Sequence, residues 1–227
     1  MEYSKKDIEE AKKYLRLRVE AETSMTHHVG VEMEKAANEV IAVCKRFSID
    51  PTNLSFDNRY EIKYAINDII DRLIDTLYND CEELSCFTNK QDKDYIIAYL
   101  KDGSRVNLSE NLSEHAQVFK DEMQDFVKIG LVAGSFGKWT RNWNGFSHKG
   151  LSSFHLIERL TRFAIADAWM HADIDYMKTN GAIGYMQFRG SSYPCEPCDD
   201  LVGFHNIDEY TLPVHANCKC YAVPIYE

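Results

Sequence analysis

No apolar run in the 227 residues approaches the roughly 18 that a membrane-spanning helix needs, which excludes an integral helical membrane protein. The opening Met1-Glu2-Tyr3-Ser4-Lys5-Lys6-Asp7 lacks the apolar segment of a secretory leader, so export by that route is not expected. Basic side chains are in deficit: 26 Lys and Arg against 36 Asp and Glu leave a formal charge of −10, against a generic charge-driven coat for nucleic acid. A local basic patch stays open. The glycines between 134 and 150 fit neither the Gly-x-x-x-x-Gly-Lys-[Ser/Thr] nor the Gly-x-Gly-x-x-Gly pattern, so no phosphate-cradling loop is expected. There is no internal repeat and no low-complexity tract. What is there, 44% hydrophobic and 12% aromatic residues, is the composition of a folded chain with one or two domains.

The first half reads as helices. Ser4 is placed to cap a helix, with Asp7 in its first turn. Ile8, Ala11, Leu15 and Val19 follow as one apolar stripe with charge on the other faces, and Met33, Ala36, Ala37, Val40, Ile41 and Cys44 resume the period after Gly30. Pro51 and Asn53 mark a loop. From Asn58, the residues Ile62, Ile66, Ile69, Ile70, Leu73 and Leu77 make the strongest helical stripe in the chain. Core packing between antiparallel helices accounts for these stripes. Cys44, Cys81 and Cys86 lie in or beside them as scattered packing or surface thiols.

Tyr95 to Leu100 suits a short helix or a strand equally. Ser113 is placed to cap a helix through about Ile129, and a long helix is expected over 152–179, stopped by Asn180-Gly181. Ile183–Phe188 and Tyr221–Ile225 alternate as strands, with Pro224 placing the second at an edge. The expected fold is therefore α+β. A mainly helical region over 1–110 precedes a small α/β module over 111–227, closed by a Cys/His cluster.

Four of the seven cysteines fall in the last 33 residues. In a chain without an export signal, clustered thiols point to metal more than to disulfides. Cys195-Glu196-Pro197-Cys198 is a Cys-x-x-Cys turn, the usual half-site of structural zinc, and His215, Cys218 and Cys220 supply the other half. If 218–220 is extended, Cys218 and Cys220 share a face. That gives five candidates for four tetrahedral positions, and one structural Zn²⁺ per chain is expected to hold together a tail too short for a core of its own. The alternative is reduced thiols in a turn kept without metal.

The order of these elements carries a resemblance. The helix Arg162-Phe163-Ala164-Ile165-Ala166-Asp167-Ala168 is followed by Gly181, a strand, the Cys-x-x-Cys and Asp199-Asp200-Leu201-Val202-Gly203. The chain closes with Leu212-Pro213-x-His215-x-Asn217-Cys218-Lys219-Cys220. Over about residues 115–227 this resembles the C-terminal module of the Mu-F-like phage head-morphogenesis (minor head) proteins. Lys219 stands where that family usually has Arg, and Ala216 where it has Pro. The resemblance implies a non-enzymatic minor head protein of a tailed phage or prophage that contacts portal or capsid proteins, with DNA as a further partner. It implies a place in the virion head after assembly in the host cytoplasm. The positions matching the motif are Cys195, Cys198, His215, Cys218 and Cys220; no catalytic residue is transferred.

Residues 134–162 form the locally basic segment, with Lys138, Arg141, Lys149, Arg159 and Arg162 against Glu158 alone. Lys138, Trp139, Arg141, Trp143 and Lys149 are the candidate contacts for a partner or for nucleic acid, the indoles offering stacking faces. An irregular connection with core-plugging aromatics explains the segment as well. Pro194-Cys195-Glu196-Pro197-Cys198 also matches half of a zinc nucleobase deaminase site. The nearest upstream partner, His171-Ala172-Asp173, has Asp where that chemistry needs Glu, and it leaves His215, Cys218 and Cys220 unexplained. A zinc-dependent nucleic-acid enzyme and a zinc-stabilised interaction module unrelated to phage remain the alternatives. A Cys218–His215 nucleophile pair would sit among three other thiols, and the acids Asp199, Asp200, Asp208 and Glu209 suit turns as well as a divalent ion.

Overall fold

The structure is a computed structural model that describes residues 3–46, 56–85, 93–100, 105, 107–133 and 152–227. Among these the helices are α1 (Lys5–Arg46), α2 (Phe56–Ser85), α3 (Lys93–Ala98), α4 (Leu108–Ala133), α5 (Ser153–Thr179) and α6 (Glu196–Asp199). The strands are β1 (Gly184–Phe188), β2 (Gly203–Asn206) and β3 (Tyr221–Ile225). The expected combination of a helical N-terminal region with a small C-terminal sheet and a Cys/His cluster is the fold observed. Among the described residues no helix is long and apolar enough to cross a membrane.

The chain divides into two compact units, described separately. One comprises residues 26–79 and 109–158; the other comprises residues 1–25, 80–108 and 159–227. In the first, Met33, Val40, Ile66, Ile70, Leu77, Phe119, Met123 and Ile157 are buried, so the sequence stripes are core faces. Arg72 reaches Glu39 at 2.9 Å and Lys120 reaches Asp71 at 2.6 Å, tying α2 to α1 and to α4 at the rim. Gly30, expected to separate two runs, lies inside the continuous α1. An interior glycine costs a helix roughly 1 kcal/mol. Here a Cβ would meet the Phe154 ring at 3.4 Å, an ordinary contact, so the ring packs over the glycine without requiring it.

The first turn of α5 is closed by a buried carboxylate from α4. Glu122 Oε1 accepts from Ser153 N–H at 2.8 Å and Oε2 from the Ser153 hydroxyl, satisfying donors that a helix start leaves open. Helix α4 begins at Leu108, after Asn107 at φ 42°, so Ser113 lies inside the helix that it was expected to cap. Asn tolerates that left-handed conformation and thereby makes the earlier start possible.

In the second unit, Ser4 and Asp7 form the expected N-terminal cap of α1. Asp7 N–H donates to Ser4 Oγ at 3.2 Å, and Asp7 Oδ2 accepts from Ser4 N–H at 2.7 Å. The latter bond holds the Asp7 carboxyl below its ordinary pKa of 3.8. Residues 93–98 settle the helix-or-strand alternative as helix. Helix α5 ends as expected, with Gly181 in the left-handed region at φ 85°. The sheet is antiparallel in the order β2-β1-β3, with Gly184 opposite both Asn206 and Ile225. Pro224 does lie on an edge strand, where its missing N–H costs no ladder bond. Below the sheet, Met170, Ile174 and Met177 of α5 pack with Tyr185, Leu212 and Ala222 in one apolar cluster. Cys198, Cys218 and Cys220 belong to the same cluster.

Candidate metal centre

The first half of the site is a tight knuckle. Cys195 precedes α6 in extended conformation, and its carbonyl accepts from Cys198 N–H at 3.0 Å and from Asp199 N–H at 2.9 Å. Pro197 fits here because the first helical positions have no partner for an N–H. The turn throws both thiols to one side. The second half is another turn, in which Cys218 N–H donates to His215 O at 2.9 Å, setting imidazole and thiol on one side of the chain. Cys218 and Cys220 are both 1% exposed and share a face, as the alternation predicts, while Lys219 is directed elsewhere.

Anchors upstream set where His215 can be. Tyr185 on β1 donates through its hydroxyl to Glu209 O and lies 2.8 Å from Thr211 Oγ1, which donates to Gln187 Oε1 at 2.7 Å. Arg105 then binds three successive surfaces. It donates to Asp167 Oδ1 on α5 at 2.7 Å, to Leu212 O at 2.8 Å and to Pro213 O at 3.2 Å. Arg162 of α5 holds the Asn217 side-chain oxygen at 2.7 Å. Gly190 allows close approach of the strand exit to the cysteine run, since a Cβ there would stand 1.9 Å from Lys219 O.

These anchors bring all five predicted donors together. His215 Nε2 lies 3.3 Å from Cys195 Sγ and 3.2 Å from Cys198 Sγ, and Cys198 Sγ lies 3.9 Å from Cys218 Sγ. The donors form two overlapping triads, Cys195–Cys198–His215 and Cys198–Cys218–Cys220, each within 4.8 Å, with Cys198 common to both. Tetrahedral zinc, with bonds of about 2.3 Å to sulfur and about 2.0 Å to nitrogen, sets its ligands about 3.5–3.8 Å apart. The observed separations of 3.2–3.9 Å bracket that spacing, and soft thiolates with one imidazole are the donor set zinc prefers. The cluster could hold a metal ion such as zinc. A cavity of about 320 Å³, lined by Arg189, Tyr193, Cys195, Cys198, His215 and Lys219 among others, gives an ion access to the thiols.

Proton sharing among the thiols is uneven. The Cys218 thiol is lowered to about 4, first by the hydrogen bond from Cys220 and further by nearby N–H groups and the charge of Arg18. Cys220 is correspondingly pushed up by that same bond and by burial. Burial, followed by a hydrogen bond with Cys195, pushes Cys198 up to about 12. Cys218 is therefore the thiol that gives up its proton most readily, and a cation entering here would displace protons from the others. His215 Nδ1 accepts from Asn217 N–H at 3.3 Å. Ligation through Nε2 would move the ring proton to Nδ1 and give up that long contact.

Sequence reasoning missed two residues here. Arg18 and Glu22 of α1 are 1% and 2% exposed. Arg18 Nη2 donates to Cys218 O at 2.7 Å and reaches Cys220 O at 3.5 Å, while Nε lies 3.1 Å from Glu22 Oε1. Glu22 Oε2 accepts from Lys219 Nζ at 2.6 Å. The signal was present. The buried stripe of α1 runs Arg18, Glu22, Met25, Val29, Met33, so two opposite charges occupy core positions i, i+4.

Other candidates fall elsewhere. Lys138, Trp139, Arg141, Trp143 and Lys149 lie outside the described residues, as does Cys86. Cys44 and Cys81 are buried packing thiols; burial pushes Cys44 up to about 11 and Cys81 higher. His171 is not beside the thiols: its ring stacks on Tyr210 at 4.4 Å and lies 3.8 Å from Tyr99. Of the acids in the two turns, Asp199 pairs with Arg189 and Asp208 with Lys178, and Glu209 lies 3.3 Å from His205 Nδ1. No protein-family model, curated protein or solved structure matches this chain.

Proposed function

We propose that this chain is a non-enzymatic minor head protein of a tailed phage or prophage whose C-terminal module is fastened by one structural zinc. The observation that carries the metal part is the convergence of Cys195, Cys198, His215, Cys218 and Cys220 from two separate turns. Five donors for four positions favour a closed structural site over a catalytic one, which keeps a position open for water. Zinc bound here would supply cross-linking and neutralisation of thiolate charge, joining the knuckle after β1 to the turn before β3. The assembly role is supported by the sequence order around the closing Leu212-Pro213-x-His215-x-Asn217-Cys218-Lys219-Cys220 run.

Portal or capsid proteins are the proposed partners. The segment with Lys138, Trp139, Arg141, Trp143 and Lys149 is the proposed contact surface, for DNA or for protein. Replacing Cys195 and Cys198 together by Ser separates structure from chemistry. A structural centre predicts loss of fold in the C-terminal unit, seen as protease sensitivity, whereas retained fold with lost turnover of a nucleic acid would indicate an enzyme. Co-expression with the portal and capsid proteins of the same genome should place the chain in assembled heads. Heads that form without incorporating it would retire the assembly role.

A further inference from the structure

The Arg18–Glu22–Lys219 triad has a charge that no packing role requires. A buried guanidinium costs several kcal/mol in lost hydration unless it is paired. Glu22 is shared between the buried Arg18 and the partly exposed Lys219, so the buried guanidinium has less than a full counter-charge to itself. Arg18 Nη1 is buried without a hydrogen-bond partner, which leaves part of that charge uncompensated. The opposite charge is supplied by the centre proposed above. Any four ligands that include His215 bring three thiolates, and with Zn²⁺ these sum to −1. The Arg18 Nη2 bonds to the Cys218 and Cys220 carbonyls also fix the backbone from which those thiols project. Groups that orient metal ligands in this way contribute strongly to metal affinity.

We propose that Arg18 is a positioning residue for the zinc centre, through which metal occupancy and the docking of residues 5–25 onto the Cys218–Cys220 run strengthen each other. The inference rests on the zinc reading, and coupling of this kind is reciprocal. Lys could not replace the guanidinium fully, because an ammonium is a point charge without the rigid fork that faces Glu22 through Nε and the Cys218 and Cys220 carbonyls through Nη2.

The test uses the full chain, with Zn²⁺ affinity measured by competition against a chromophoric chelator. Arg18→Met should bind zinc about ten- to hundredfold more weakly than wild type, and Arg18→Lys should lie between them. With Co²⁺ as probe, the thiolate charge-transfer band should keep its position and intensity at saturation, showing that the ligands are unchanged. In the wild type, chelation should speed amide exchange across residues 5–25. Wild-type zinc affinity in Arg18→Met would overturn the linkage and leave the centre standing. Absence of zinc from the wild type would overturn both. Should Arg18→Met fail to fold, the exchange of residues 5–25 in the wild type decides alone, and exchange indifferent to zinc would overturn the proposal.

Discussion

Arg105 and Asp167 form the ion pair that holds the histidine turn against α5. The guanidinium donates to Asp167 Oδ1 through Nε at 2.9 Å and Nη2 at 2.7 Å, and Tyr99 donates to Oδ2 at 2.9 Å. Asp167 is 1% exposed, so its charge has been taken out of water and depends on these donors. Because the same guanidinium also holds Leu212 O and Pro213 O, the pair sets the start of the turn that carries His215.

Arg105→Met should therefore destabilise the C-terminal unit by about 1–3 kcal/mol, the cost of leaving a buried acceptor underserved. Denaturant titration measures the loss. Zinc affinity should fall in the same variant although no ligand has been touched. An unchanged midpoint would mean that the turn is held by other contacts.

Gly190→Ala tests the packing of the strand exit on the cysteine run. The added methyl would enter the Lys219 carbonyl and approach Leu15, so backbone on one side or the other must move. Overpacking of this kind costs about 1–3 kcal/mol. The thermal midpoint should drop, and accessibility of Cys218 and Cys220 to a thiol reagent should rise. A variant as stable as wild type would show that the strand exit and the cysteine run do not pack tightly at this point.

His171 gives the second unit a dependence on pH. Burial lowers its pKa below the ordinary 6.5, with Tyr95, Tyr99, Tyr210, Asp167, Asp175 and Arg105 as its neighbours. A depressed folded-state value means that the folded form binds fewer protons than the unfolded one. The associated stability is present above about pH 6.5 and is lost as the pH falls below it. Any zinc-bound thiolates add a slope of the same sign, so the quantity to measure is the difference between wild type and His171→Phe. Stability curves at several pH values should be flatter for the variant below pH ~6.5; parallel curves would exclude His171 as a source.

Much of this architecture could be read from residue spacing, for identifiable reasons. The stripe Ile62–Leu77 is a periodic signal that burial enforces directly, and the Pro224 edge follows from a missing donor; strand β1 was legible from its residue types, although its buried side carries Gln187 beside Tyr185. The five metal candidates were legible because thiol and imidazole spacing is itself the chemistry. Strand β2 was not, since Gly203-Phe204-His205-Asn206 follows an Asp-rich turn and is too short to show a period. The start of α4 was missed because the chain enters the helix at Leu108 from Asn107 at φ 42°, a backbone feature that residue spacing does not show. Arg18 and Glu22 read as a solvated face of α1 because their partners, the Cys218 carbonyl and Lys219, lie about 200 residues away in sequence.

The central claim is that the Cys/His cluster is a zinc centre, and elemental analysis tests it most directly. Purified full-length chain, dialysed exhaustively without chelator, should contain about one zinc per chain, and the Cys195→Ser/Cys198→Ser variant should contain none. A wild-type chain with no metal and all seven thiols free would contradict the account, leaving the cluster as buried packing in the C-terminal core.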